Sequence, residues 1–88
     1  MLPEVQMKIK QCIAELEPYR IFSSDIEQAI GALKEIENLT SNPNRENLEK
    51  ALEIVTEFYE GAEEYSSYIP TTISNLGFVR KWLEKTIK

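Results

Sequence analysis

Four stretches of this chain place apolar side chains at intervals of three and four residues, and proline or a cluster of turn formers separates each from the next. That period belongs to helices with one buried face, and no segment alternates with period two for long enough to make a strand. The first stripe is Leu2, Val5, Ile9, Cys12, Ile13 and Leu16; Pro3 suits a first helical position and Pro18 stops the pattern, so a helix is expected over residues 3–17. Tyr19 to Phe22 form an apolar connector. Ser24 and Glu27 then have the spacing of a capping box at the head of a second helix, residues 24–40, whose stripe reads Ile26, Ala29, Ile30, Leu33 and Ile36.

Thr40 to Asn44 are turn formers, and Asn42 followed by Pro43 reads as N-cap and first residue of a third helix. That helix is expected over 43–65, with Leu48, Ala51, Leu52, Val55, Phe58, Tyr59 and Ala62 facing inward. The Ile69–Pro70 step breaks the period because a residue before proline is pushed out of the α region. Thr71 or Thr72 can cap a fourth helix, 71–87, with Ile73, Leu76, Val79, Leu83 and Ile87 on its inner face. Short connections make neighbouring helices antiparallel, so the expected fold is all-α: an up-down four-helix bundle forming a single domain over residues 1–88. The second and third helices alone resemble one hairpin of a solenoid, but about three such repeats are needed for a stable array.

Composition removes most catalytic chemistry. A chain of 88 residues with no His, one Cys, one Asp and three Gly cannot assemble the usual metal sites, nucleophile–His pairs or glycine-rich phosphate cradles. The fifteen acidic residues do not replace them. A di-iron bundle needs Glu-x-x-His motifs, the turn at 40–44 is too short for a calcium loop, and no Glu falls in a core stripe where burial would raise its pKa. The expectation is a protein that is not an enzyme and has no cofactor or metal. No apolar run reaches a membrane span, the start lacks the flank of a signal peptide, and a single cysteine offers no internal disulfide, so a soluble cytoplasmic protein is expected. Cys12, among Ile9, Ile13 and Leu16, reads as a core residue with a slow-reacting thiol.

Charge is unevenly spread within a net of −5. Glu46, Glu49, Glu53, Glu57, Glu60 and Glu64 line the outer side of the third helix, offset locally by Arg45 and Lys50 alone. This is either a solvated face or a docking ridge for a basic partner. The fourth helix has the opposite sign: Arg80, Lys81, Lys85 and Lys88 against Glu84, with Phe78 and Trp82 beside the lysines and off the main stripe. Those rings either close a seam with a neighbouring helix or anchor a partner.

A third cluster joins Phe58, Tyr59, Tyr65 and Tyr68 to Tyr19 and Phe22, since both connectors fall at one end of an up-down bundle. These rings are expected to cap the core with their phenols in water. The sharper alternative is a ligand slot, which would show as a concave opening lined by them. Gly31, Gly77 and the outward Met7 have no evident task; each glycine is a point of close helix approach, a kink or a tolerated residue.

The function expected from these features is an acidic protein-interaction module. Helices three and four would bind a protein partner, a basic one, or a second copy in a homodimer, with Glu53, Glu57 and Glu60 meeting cations while Phe78, Lys81, Trp82 and Lys85 supply a basic-aromatic face. Nucleic acid and membrane are not expected partners: four cations on an acidic domain make a weak footprint. A runner-up is a toxin- or bacteriocin-neutralising immunity-type protein, which the chain resembles in size, charge and helix count alone. A second is a small-molecule binder using the tyrosine cluster.

Overall fold

The computed structural model describes residues 3–87; Leu2 and Lys88, of which the sequence also raises expectations, lie outside them. Four helices make an up-down bundle: α1 (Pro3–Leu16), α2 (Ser24–Ser41), α3 (Arg45–Ala62) and α4 (Pro70–Ile87). Each packs along its two neighbours around a square, α1 on α2 and α4, α3 on α2 and α4. The Cα dimensions of 37 × 20 × 19 Å fit that arrangement: an 18-residue helix is about 27 Å long, and interaxial spacings of about 8–10 Å give the near-equal short sides. No helix among the described residues is long and apolar enough to cross a membrane.

The four stripes converge as their spacing requires. Val5, Ile9, Cys12 and Leu16 of α1 meet Ile30, Leu33 and Ile36 of α2, Leu48, Ala51, Val55 and Ala62 of α3, and Leu76, Val79 and Leu83 of α4, all buried. Ile13, Ile26, Ala29, Leu52, Phe58, Tyr59, Ile73 and Ile87, which the spacing also places in the inward stripes, are only half-buried against this core.

The main differences from the expected helix ends and caps are four, each with a local reason. Ser23, not Ser24, is the N-cap of α2: its extended backbone (φ −160°, ψ 134°) lets Oγ accept from the Asp25 amide at 3.1 Å. The Ser24–Glu27 capping box is therefore not made, and Glu27 instead faces Arg20 at 3.4 Å. The third helix starts two residues later than 43 because Asn44, not Asn42, is the cap. Asn44 Oδ1 accepts from the Asn47 amide at 2.8 Å, and Asn47 Nδ2 donates back to the Asn42 carbonyl at 2.8 Å. Its far end closes at Ala62, and Glu63–Tyr65 tighten into a 3₁₀ turn rather than continuing to 65. Neither Thr71 nor Thr72 is the N-cap of α4, which begins at Pro70 itself.

The first turn of α4 is satisfied from outside its own segment. Proline has no amide hydrogen to satisfy, the Ile73 amide donates to the Ile69 carbonyl at 3.1 Å, and the two between them donate to Glu15 of α1. Thr71 N reaches Glu15 Oε2 at 3.1 Å and Thr72 N reaches Oε1 at 2.6 Å. Further along the same seam, Asn75 Nδ2 donates to the Lys8 carbonyl and to Gln11 Oε1 at 3.0 and 2.9 Å. At the opposite end Gln6 Nε2 donates to Thr40 Oγ1 at 2.7 Å, tying α1 to α2. These polar contacts fix the register of α1, since apolar stripes alone tolerate sliding.

Gly31 and Gly77 allow neither a close approach nor a kink-dependent contact: a Cβ at either would meet nothing within 4 Å. Gly31→Ala and Gly77→Ala are each expected to raise stability by about 0.8–1 kcal/mol, the helix-propensity difference, and thermal melts of the single and double variants should show near-additive gains.

Candidate functional site

The two long connectors and the ends of α2 and α3 enclose an open groove of about 740 Å³ at one end of the bundle. Pro18 explains the first connector. It ends α1 and leaves Glu17–Phe22 as a 3₁₀ turn with no buried residue, so Tyr19, Ile21 and Phe22 stand out from the core. Phe22 is 76% exposed and Ile21 87%. The second connector projects Tyr65 and Tyr68 in the same way, at 54% and 73%, before Ile69 turns inward ahead of Pro70.

The groove floor consists of buried Leu16, Ala62 and Ile69 with half-buried Ile26, Ala29 and Phe58. Tyr19, Phe22, Tyr65 and Tyr68 rise around it. Gly61 also lines it, and a Cβ there would meet nothing within 4 Å, so open space lies above that position. The charged residues among the lining are Asp25, Glu57 and Glu64, all acidic and all exposed. Arg20, in the same connector, is turned to Glu17 at 3.0 Å and Glu27 at 3.4 Å.

The aromatic cluster read from the sequence is thus assembled, with two differences. Tyr59 belongs to the α3–α4 seam, where the Arg80 guanidinium lies 5.9 Å from its ring centre. The other rings, apart from half-buried Phe58, do not cap the core, because the 3₁₀ turns carry them away from it and leave the concave opening between them.

The seven partner residues expected on helices three and four fall on two faces, the acidic ridge of α3 and the basic-aromatic side of α4. Glu53, Glu57 and Glu60 are exposed along α3, and Glu57 alone of the seven lines the groove. Phe78 lies on the α1 side of α4, with Lys8 Nζ 5.1 Å from its ring centre, and is 36% exposed. Trp82 is half-buried against the core, while Lys81 and Lys85 are exposed. Phe78 and Trp82 therefore serve at least partly as seam residues. Met7 is exposed on the outer face of α1.

Ionisation separates Cys12 and Glu15, three residues apart on α1. Burial pushes the Cys12 thiol up to about 12, with the Glu15 charge adding to the rise. The thiol of the native protein is expected to resist a disulfide reagent at pH 8 and to react at the rate of an unfolded control only in denaturant, which absorbance stopped-flow can follow. For Glu15 burial works upward too, but hydrogen bonding by Thr72 and Thr71 outweighs it and holds the carboxyl below its ordinary range. A carboxylate held ionised as a helix cap is the reverse of one kept protonated to serve as a general acid.

Glu15 and Asn75 escape sequence reading because each acts across 56 residues or more. A hint existed in Pro70, which leaves the next two amides in need of an acceptor. Comparison of the chain with known protein families, with curated proteins and with solved structures finds no match.

Proposed function

We propose that this chain is a non-enzymatic interaction module whose binding surface is the aromatic groove at the connector end. The observation that carries the reading is the exposure of Tyr19, Phe22, Tyr65 and Tyr68 around an apolar floor. Aromatic side chains left in water at a concave site are surplus to folding, and rigid aromatic anchors around a desolvated pocket are what protein interfaces concentrate. The groove shares Glu57 with the acidic ridge of α3, so the expected role of that helix is kept while the anchoring rings move from α4 to the connectors.

The test is retention of partners from an extract of the cells that make the protein. Wild type, a Phe22→Asp/Tyr68→Asp variant and a Phe78→Ala variant would be immobilised side by side. A protein held by wild type and by Phe78→Ala but lost from the groove variant supports the reading; loss with Phe78→Ala alone transfers the function to α4.

That second outcome corresponds to association between copies through Phe78, Lys81, Trp82 and Lys85, favoured by the partial exposure of Phe78 beside two exposed lysines. Sedimentation equilibrium of wild type against Trp82→Ala decides it: a dimer weakened by the substitution supports self-association, and a monomer at millimolar concentration removes it.

A further inference from the structure

We infer that the occupant of the groove is a cationic amphipathic helix of a partner protein, an inference that rests on the groove being the interaction surface. The size of the site comes first. The α3 lining runs from Glu57 to Ala62, about 7.5 Å of helix, and continues through Tyr65 and Tyr68. A helix presenting two to three turns therefore covers it, with anchors at i, i+3 or i+4, and i+7. Small residues clear its path: Ala29, Gly61 and Ala62 keep the bed of the groove low.

Charge then selects the partner. Asp25, Glu57 and Glu64 line the groove, and among the described residues no Lys or Arg does. The α3 C-terminus, which has no basic residue in its last turn, ends there and adds the negative end of a helix dipole. The positive end of α2 lies nearby and is already answered by Asp25 and Glu27 in its first turn. Lys or Arg flanking an apolar stripe would meet carboxylates at the rim and tyrosine faces within the groove, two environments that both favour a cation. The same carboxylates would be repelled by an anionic lipid surface, so these exposed rings do not read as a membrane anchor.

Four labelled 18-residue helical peptides test this: one with a Leu/Phe stripe and Lys/Arg opposite, the same stripe with Gln, the same stripe with Glu, and a scrambled basic sequence without a stripe. Binding would be read by fluorescence anisotropy at low salt, and location by amide shifts of the labelled protein. The striped basic peptide should bind at least tenfold more tightly than the neutral one and 100-fold more tightly than the acidic one, shifting amides in the connectors and at the adjoining ends of α2 and α3. An Asp25→Asn/Glu57→Gln/Glu64→Gln variant should lose at least tenfold for the basic peptide and leave the neutral one unchanged; these side chains are exposed, and circular dichroism checks the fold.

Equal binding of neutral and basic striped peptides, or of the scrambled peptide, overturns the inference while leaving the groove as an interaction surface. Absence of binding by every peptide, or shifts confined to α4, overturns both.

Discussion

Replacing Glu15 by alanine is expected to lower the stability of the bundle by about 1–2 kcal/mol, the worth of a charged cap at a partly buried helix N-terminus. The loss is large for a domain that buries only about 60% of its unfolded surface. It arises because Thr71 and Thr72 donate their amides to Glu15 alone, so alanine leaves two first-turn donors without a partner and removes the link from α1 to α4. Glu15→Gln should fall between wild type and alanine, since an amide oxygen accepts without a charge. Thr72→Val removes the buried Thr72 hydroxyl and keeps the amide. That hydroxyl makes no hydrogen bond of full geometry but lies near enough to the Glu15 carboxylate to favour its charged form, so the substitution should cost less than Glu15→Ala.

The same cap predicts a pH dependence. The folded-state pKa of Glu15 lies below the ordinary value of 4.5, so the folded protein releases this proton more readily than the unfolded chain. The stabilisation is complete above 4.5 and is lost as pH falls through the lower folded value. Urea denaturation at pH 7 and again at acid pH should therefore show the gap between wild type and Glu15→Gln narrowing on acidification. A gap that stays constant with pH would mean that the carboxylate charge contributes nothing to the cap.

What the sequence conveyed followed the range of the interactions involved. The stripes from Val5 to Leu16 and from Ile26 to Ile36 are set by neighbours three and four residues apart, and most of those residues are buried as their spacing required, with Ile13, Ile26 and Ala29 left half-buried. The caps were a closer competition. Ser23 and Ser24, like Asn42 and Asn44, differ by one or two positions in otherwise equivalent chemistry, and backbone geometry in the connector decides between them. Glu15, Gln6 and Asn75 look like surface residues on a helical wheel, and their roles depend on which turn of a distant helix lies opposite.

For the candidate site, the aromatic residues and their shared end of the bundle could be read from connector position. Their departure from the core could not: it follows from the 3₁₀ geometry after Pro18 and after Ala62, which turns Phe22 and Tyr65 outward instead of continuing the helical face. Phe78 and Trp82 lie partly in a seam, the first of their two expected readings, for the converse reason. A residue off the main stripe of α4 still reaches α1 in a square bundle, because each helix has two neighbours to cover.

Gly61→Trp is expected to reduce binding of the basic amphipathic peptide at least 100-fold, about 2.7 kcal/mol, without destabilising the fold. The position makes that separation available. Its Cβ would enter open space above the groove bed, so the indole would occupy volume intended for the ligand instead of displacing core side chains. Leaving glycine within a helix also favours folding by about half a kcal/mol even for tryptophan. Gly31→Trp is the matched control: it makes the same change on α2, also into open space, at a position that does not line the groove, and it should melt like Gly61→Trp while binding like wild type. Anisotropy titrations and thermal melts of the pair read both quantities. Unimpaired binding by Gly61→Trp would show that the peptide sits elsewhere, because a filled groove cannot also admit a helix.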